Sequence, residues 1–381
     1  MRFMQKIAKR FLTRMMIKRG YSSYFASKFP KIIIDDFLQS KNVNFKTKIW
    51  AYRRGFLCSK AHIYGINETN FRNHLSDFEY HKLHPLNGTY SKWIDDKLSM
   101  KYVLSPFSDY LPKYYFQLED NEILKLMDCP DGINPTIDGI LSLLQKEGNL
   151  ALKPYSGTRG NGFYRLSYHD GDYFMNTEKA DEASVNNLLS VLKGYLVTEY
   201  IISHNTIKKI YEQTPNTLRL QFVRNINEKP RIIGSFIRFG TSKSGILETP
   251  LAGGILAGIE INNGKIFEPH IISDNKLKCL KYHPDTGEAM EIQLPNWNHA
   301  VLKINEILDY IPQLTYVGFD VVITNGGFKI LEINSLTSIH GISYYYPYFA
   351  DEYARKYFTS KFQERPEKFQ RILKQLQEMD T

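Results

Sequence analysis

Tyr316-Val317-Gly318-Phe319-Asp320-Val321-Val322-Ile323-Thr324, the turn Asn325-Gly326-Gly327, and Phe328-Lys329-Ile330-Leu331-Glu332-Ile333-Asn334 form the stretch whose reading decides the fold. Both flanks are rich in β-branched and aromatic residues. The Asn-Gly turn between them favours the left-handed backbone that a tight hairpin needs. Folding the flanks together makes Asp320 and Glu332 near cross-strand neighbours. Glu332 and Asn334 are two apart on one strand and therefore share a face. Two carboxylates and an amide oxygen thus converge, and a magnesium ion bound through oxygen ligands would relieve their repulsion. The plainer alternative is a solvated hairpin face. It fits poorly with the apolar flanks Val317, Phe319, Val321, Ile330, Leu331 and Ile333, which describe a largely covered sheet.

Upstream, residues 151–154 read as a strand carrying Lys153, followed by the turn Ser156-Gly157-Thr158-Arg159-Gly160-Asn161-Gly162 and a partner strand over 163–167. A glycine-rich turn between two strands can fold its backbone N–H groups over a polyphosphate, with the lysine adding charge. It is not a Walker A loop, since no Gly-Lys-Ser/Thr closes it and a strand follows it. Taken alone, it is also consistent with a plain hairpin turn. The run Val197-Thr198-Glu199-Tyr200-Ile201 is strongly β-prone, and its end offers a carboxylate and free backbone groups to an adenine amino edge. By itself it resembles any surface strand.

Around these motifs the pattern predicts a mostly helical region over 21–95 and a helix from an Asp96 cap through Leu104. It also predicts a strand at 114–116, helices at 138–146 and 300–308, strands at 196–202, 219–224 and 231–239, and a helical tail from Asp351. The class is α+β with antiparallel sheets. Four segments are expected: an N-terminal mostly helical region (1–90), a nucleotide-binding subdomain (91–200), a catalytic subdomain (201–350) and a tail (351–381).

Composition narrows the function classes. A hydrophobic fraction of 43% and an aromatic fraction of 14% describe a globular chain. Cys58, Cys129 and Cys279 are far apart, which excludes a disulfide framework, makes a thiolate zinc site a poor expectation and fits a reducing cytoplasm. The net charge of +9 is concentrated at the start, in Arg2, Lys6, Lys9, Arg10, Arg14, Lys18 and Arg19. On a helix over 3–17, Phe3, Met4, Ile7, Phe11, Leu12, Met15 and Met16 would share one face. Residues 2–19 could then lie on an anionic membrane as a peripheral contact, or the apolar face could pack on the protein itself. A signal peptide fits poorly, because Arg10 and Arg14 interrupt any apolar core. No apolar run approaches the roughly 20 residues of a membrane span, and no nucleic-acid partner is expected.

Lys153 before the glycine turn, the Val-Thr-Glu-Tyr-Ile strand, and Gly318-Phe319-Asp320 followed by Leu331-Glu332-Ile333-Asn334 resemble the ATP-grasp superfamily. Asp96-Lys97-Leu98-Ser99-Met100-Lys101 is similar to the start of that core in D-alanine–D-alanine ligases. Asn216-Thr217-Leu218-Arg219, Gly253-Gly254, His283-Pro284-Asp285-Thr286-Gly287 and the closing Glu-Ile-Asn-Ser resemble the sugar-transfer-associated ATP-grasp family of bacterial surface-polysaccharide clusters. The resemblance spans about residues 90–345 and implies roles for the matched positions. Lys97 and Lys153 would contact ATP phosphates, and the loop with Ser156, Gly157, Gly160 and Gly162 would close over them. Glu199, with the backbone near Ile201, would bind adenine. Asp320, Glu332 and Asn334 would hold magnesium, and Arg219 would lie near the transferred phosphoryl and acyl groups. Arg159 inside the loop and Leu336-Thr337 after the metal asparagine depart from the pattern, so the substrate end is expected to differ.

The chemistry implied is ATP-dependent activation of a carboxylate as an acyl-phosphate, followed by attack of an amine to give an amide. The substrate would be a small molecule or glycan carrying a carboxylate and an amine, such as an amino acid with a sugar acid or amino sugar. Two alternatives stay open: a kinase acting on a sugar hydroxyl with His340 as general base, and a non-catalytic nucleotide-dependent binding subunit. The two lysines and three metal-type residues argue against the latter.

Overall fold

The computed structural model describes residues 10–11, 13–120, 122–155, 162–273 and 276–380. The first of two sheets is built from β1 (Tyr114–Leu118), β2 (Ile123–Lys125), β3 (Asn149–Pro154), β4 (Tyr164–His169), β5 (Asp172–Met175), β6 (Glu178–Ala180) and β7 (Tyr195–Glu199), in the order β2-β1-β7-β3-β4-β5-β6. Alternation decides which residues it buries. Leu150 and Leu152 of β3 join Phe116 of β1 and Val197 of β7 in a core closed by Ile140, Leu143 and Leu144 of helix Ile137–Glu147. That helix starts where Thr136 Oγ1 accepts the Gly139 N–H at 3.1 Å, a standard N-cap. Lys153, out of phase with Leu150 and Leu152, is left on the other face.

The second sheet contains β8 (Leu218–Val223), β9 (Arg231–Phe239), β10 (Ile255–Ile259), β11 (Ile266–Ser273), β12 (Lys276–Cys279), β13 (Tyr316–Thr324) and β14 (Gly327–Asn334), in the order β12-β11-β10-β9-β8-β13-β14. All the pairings described are antiparallel, so the α+β expectation holds, and the described residues form no doubly wound sheet. Leu218, Leu220, Phe222, Val317, Phe319, Val321 and Ile323 face one core with Ala300, Ile304, Ile307 and Leu308 of helix Trp297–Tyr310. Residues in the opposite phase, among them Arg219 and Asp320, project from the other face.

The N-terminal region is helical as expected, with helices Ser23–Gln39, Phe45–Arg53, Cys58–Ile63 and Asp77–Leu83. Tyr80 and Leu83 share a second core with Tyr316 and with Tyr357, Phe358, Phe362 and Phe369 of the tail helices Glu352–Gln363 and Pro366–Asp380. Asn87 fixes this junction: its Nδ2 donates to Tyr316 O at 2.6 Å, and its Oδ1 accepts the Thr315 and Tyr316 N–H groups at 2.9 and 3.0 Å.

Two sequence expectations differ in detail. The run over 196–202 stays a strand only to Glu199, after which the Tyr200 ring meets the Arg165 guanidinium at 4.6 Å and Ile201 is buried. In the basic leader, Arg10, Phe11 and residues 13–18 are helical, whereas residues 1–9 and Leu12 lie outside the described residues. Its apolar face divides: Met16 packs with Tyr21, Phe25, Ala26 and Phe29, while Phe11 is 67% exposed. Among the described residues, no helix is long and apolar enough to cross a membrane.

Candidate functional site

The hairpin register pairs Asp320 directly with Glu332 and Gly318 with Asn334. A bulge at Leu331 shifts the register between Asp320 and Val321, so that Glu332 lands opposite Asp320 while Ile330 and Ile333 both keep their places in the core. Asn334 Nδ2 donates to Glu332 Oε1 at 3.2 Å. That bond uses the amide's donor end and leaves its oxygen as the end a hard cation would take. No three His, Cys, Asp or Glu side chains cluster as a metal set among the described residues, so a cation here would rest on two carboxylates and this amide. That donor set fits magnesium.

Asp320 is buried and doubly paired. Arg219 on the neighbouring β8 donates from Nε to Oδ1 at 2.5 Å and from Nη2 to Oδ2 at 3.0 Å, and Arg238 Nη2 on β9 lies 3.1 Å from Oδ1. Burial alone would raise the Asp320 carboxyl; the two guanidiniums outweigh it and hold the group well below the usual carboxylate range. Arg219 Nη1 also donates to Thr337 Oγ1. Gly318 makes that approach possible, since a Cβ there would lie 2.6 Å from Thr337 Oγ1. The Leu336-Thr337 departure noted in the sequence therefore anchors an arginine. Past Asn334 the chain is tied down by Asp95, whose carboxylate accepts from Ser335 N at 3.2 Å and Ser335 Oγ at 2.8 Å.

Cations come from the other side. Asp96 caps helix Lys97–Val103 through Ser99 N at 2.7 Å, as the sequence predicts. Lys97 Nζ lies 3.5 Å from Glu332 Oε2, and its backbone N–H reaches Tyr155 O at the end of β3. One turn on, Lys101 is buried, ion-paired to Asp128 at 2.7 Å and bonded to Pro112 O at 3.0 Å. The Lys153 ammonium lies 5.0 Å from the centre of the Tyr114 ring. Its acidity is shifted strongly, with the pKa pushed down to about 7, first by loss of solvent, then by Lys97 and Lys101, with Glu332 pulling the other way. Lysines from the first sheet and its adjoining helix thus face the carboxylates of the second.

Of the residues expected on the adenine side, Glu199 ends β7 and Ile201 lies two residues beyond it. Glu199 Oε2 accepts the Lys113 N–H at 3.0 Å, and Glu199 N donates to Lys113 O at 2.9 Å. Of the glycine turn, Ser156, Gly157 and Gly160 fall outside the described residues. Gly162 has φ +77°, a backbone conformation that favours glycine, and a Cβ there would also lie 2.5 Å from the Tyr195 hydroxyl. The side chain of His340, which opens helix His340–Tyr345, is outside the described set.

A family model described as sugar-transfer associated ATP-grasp matches residues 82–344. This chain belongs to that family. Within it, the first sheet with its glycine turn and the second with its acidic hairpin are the two halves of the ATP-grasp core. Solved structures similar to it include D-alanine–D-alanine ligase from Bacillus anthracis, 14% identical, with 72% of this chain and 69% of that chain covered and a TM-score of 0.37. D-alanyl-alanine synthetase A from Vibrio cholerae is 11% identical over 76% and 66%, with a TM-score of 0.40. N5-carboxyaminoimidazole synthetase from Staphylococcus aureus, complexed with ADP, is 10% identical over 68% and 50%, with a TM-score of 0.35. The ATP-grasp chain therefore spans about half the length of that last protein. A search of curated proteins finds no match.

Several residues at this centre escaped the sequence reading. Arg238 is the second partner of Asp320, and a charged residue near the end of an otherwise apolar strand was its available signal. Lys101 follows Lys97 by one helical turn. Glu248 left no pattern at all. It sits in the segment between β9 and β10, where Oε2 accepts from Thr217 N at 3.0 Å and from the Thr217 hydroxyl, while Oε1 is buried without a partner among the described residues. Arg238 Nε is 4.0 Å away. Burial pushes the Glu248 carboxyl up, against the pull of Arg238 and Thr217.

Proposed function

We propose that this protein is an ATP- and magnesium-dependent carboxylate–amine ligase of bacterial surface-polysaccharide biosynthesis, joining an amino acid to a sugar acid or amino sugar through an acyl-phosphate. The observation that carries the reading is the meeting of Asp320, Glu332 and Asn334 on one sheet with Lys97 and Lys153 from the other side. Magnesium, when bound by the acidic hairpin, would offset charge on the transferring phosphoryl group. Lys97 and Lys153 would hold the phosphates, and Glu199 with the backbone near Ile201 would seat the adenine. Arg219, fixed by Asp320 and Thr337, would present its remaining N–H donors to the acyl oxygen as charge develops there. Positioning two substrates side by side supplies much of the rate, so no protein nucleophile is needed.

The test is ADP release by the purified full chain with magnesium, ATP and pools of amino acids and sugar acids, with hydroxylamine added as a surrogate amine. Hydroxamate formation with free phosphate is the expected result. ADP accompanied by a stable phosphorylated sugar and no hydroxamate would replace the ligase by a kinase. Nucleotide binding without turnover would leave a binding subunit.

Glu248 enters the same scheme as the group that takes the proton of the attacking amine: its buried Oε1 has no partner among the described residues, and burial shifts its carboxyl upward, the direction a base needs. Glu248→Gln keeps an acceptor for Thr217. It is expected to lower kcat by about 10²–10⁴ and to flatten the acid limb of the pH profile, with the KM for ATP little changed. An unaltered kcat would remove Glu248 from the chemistry.

Membrane association through the leader belongs to this proposal as well. Lipid-linked glycans are assembled at the inner face of the cytoplasmic membrane, and exposed Phe11 beside Arg10 and Arg14 suits that surface. Each cation near anionic lipid is worth about 1 kcal/mol, screened within about 10 Å at 0.1 M salt. The full chain is expected to sediment with phosphatidylglycerol vesicles at low salt and to be released by added salt, whereas a variant lacking residues 1–14 stays in solution. Equal sedimentation of both proteins would end the idea.

A further inference from the structure

Outside the family-matched stretch, the N-terminal region and the tail build a cleft of about 560 Å³. Arg53, Arg54 and Arg72 reach it from the N-terminal side, Arg371 and Lys374 from helix Pro366–Asp380, and Glu378 is the one carboxylate in its described lining. None of these residues lies within 82–344, so the cleft is an addition to the ATP-grasp core. Five lining cations face two nearby carboxylates, Glu378 in the lining and Glu68 behind Arg54, and a multivalent anion is the ligand that relieves the remaining repulsion.

The cations are also held in place. The Arg54 guanidinium lies between the rings of Trp50 at 4.8 Å and Phe71 at 5.0 Å, with Nη2 bonded to Glu68 at 2.7 Å. Its Nε is buried with no hydrogen-bond partner among the described residues. Arg371 Nη1 donates to Arg53 O at 2.8 Å, which joins the two walls. Arg72 is 3.7 Å from Glu378 Oε2, a loose contact that an anion can replace. Beneath the floor, Glu79 lies close enough to Arg371 to feel its charge, while burial raises its carboxyl. Planar guanidiniums fixed by stacking match the paired oxygens of a phosphoryl group, and the volume is within the usual range for a small-molecule site.

We propose that this cleft binds a phosphate-bearing ligand of at least two negative charges, a phosphomonoester or diphosphate, at a site separate from the nucleotide. A single carboxylate would leave most of the lining charge uncompensated. The ligand is either free in solution or the phosphate headgroup of a lipid.

Calorimetry on the full chain with inorganic pyrophosphate tests it, with a non-hydrolysable ATP analogue and magnesium in excess throughout. Pyrophosphate is expected to bind at one site per chain. Arg72→Gln/Lys374→Gln, which alters only exposed side chains, should bind it at least tenfold more weakly with an unchanged melting temperature. Arg371→Gln, tested separately, should weaken it as well. Absence of binding to the wild type, or affinities within twofold in both variants, would overturn the proposal. Sedimentation with phosphatidylglycerol vesicles then separates the sources. Release of the chain by pyrophosphate, together with weaker sedimentation of the double variant, assigns the site to a lipid headgroup; sedimentation indifferent to both assigns it to a soluble phosphate.

Discussion

Glu332→Gln is expected to abolish magnesium-dependent ATP turnover while leaving the fold intact, and Asp320→Asn is expected to lose both. The two carboxylates look equivalent in the sequence, yet their surroundings differ. The Glu332 side chain is 32% exposed, 3.5 Å from Lys97 and 3.2 Å from Asn334. A part-exposed pair of this kind contributes at most about 1 kcal/mol, and glutamine still accepts from the Asn334 amide. The lost charge is the one that a magnesium ion at this hairpin would need. Asp320, by contrast, neutralises Arg219 and Arg238 in a site where its own side chain is 7% exposed. Removing that charge strands two guanidiniums away from water, and breaking one side of a buried pair costs about 3–5 kcal/mol. An inactive Asp320→Asn would therefore report folding as much as chemistry, and Glu332→Gln is the variant that separates them. ADP release measured beside thermal melting distinguishes the outcomes. Near-normal turnover by Glu332→Gln at saturating magnesium would dismiss the metal assignment.

The same contrast shows where sequence reasoning reached and where it stopped. Period-two alternation and the Asn-Gly turn were enough to fold residues 316–334, and the shared face of Glu332 and Asn334 follows from strand geometry alone. Asp96 as a helix cap was equally legible, because capping is a local interaction. The hairpin joining β4 to β5 could also have been found: Asp170-Gly171, both at positive φ, separates residues 169 and 172 that pair directly and is a common turn dipeptide. Arg238 and Glu248 are a different matter. Their meeting with Asp320 and Thr217 depends on which strand lies next to β8, and strand order is a property of the whole sheet. The basic cleft depends on two chain ends more than 250 residues apart, for which no local pattern exists.

Lys153 carries the second large effect, and it should appear as a proton. In the free protein its pKa of about 7 leaves the amine mostly neutral at pH 8. Polyphosphate entering beside it would restore the ammonium, because the nearby negative charge outweighs the repulsion from Lys97 and Lys101. Binding above pH 7 therefore takes up close to one proton, and nucleotide affinity falls by about tenfold per pH unit until the pKa of the bound state is reached. The sign for the free fold is the reverse. Between about 7 and the ordinary 10.5 the unfolded chain holds more protons at this group than the folded one, so its contribution to stability increases with pH across that window. Lys153→Ala should bind nucleotide far more weakly and lose the uptake, and it also controls for titration of the nucleotide's own phosphates. Lys153→Arg, charged at every accessible pH, should flatten the slope even where its geometry lowers turnover. Calorimetry with a non-hydrolysable ATP analogue at pH 8, in buffers of different ionisation heat, reads the proton directly. Equal heats in those buffers, with affinity flat from pH 6 to 9, would take Lys153 out of the phosphate site.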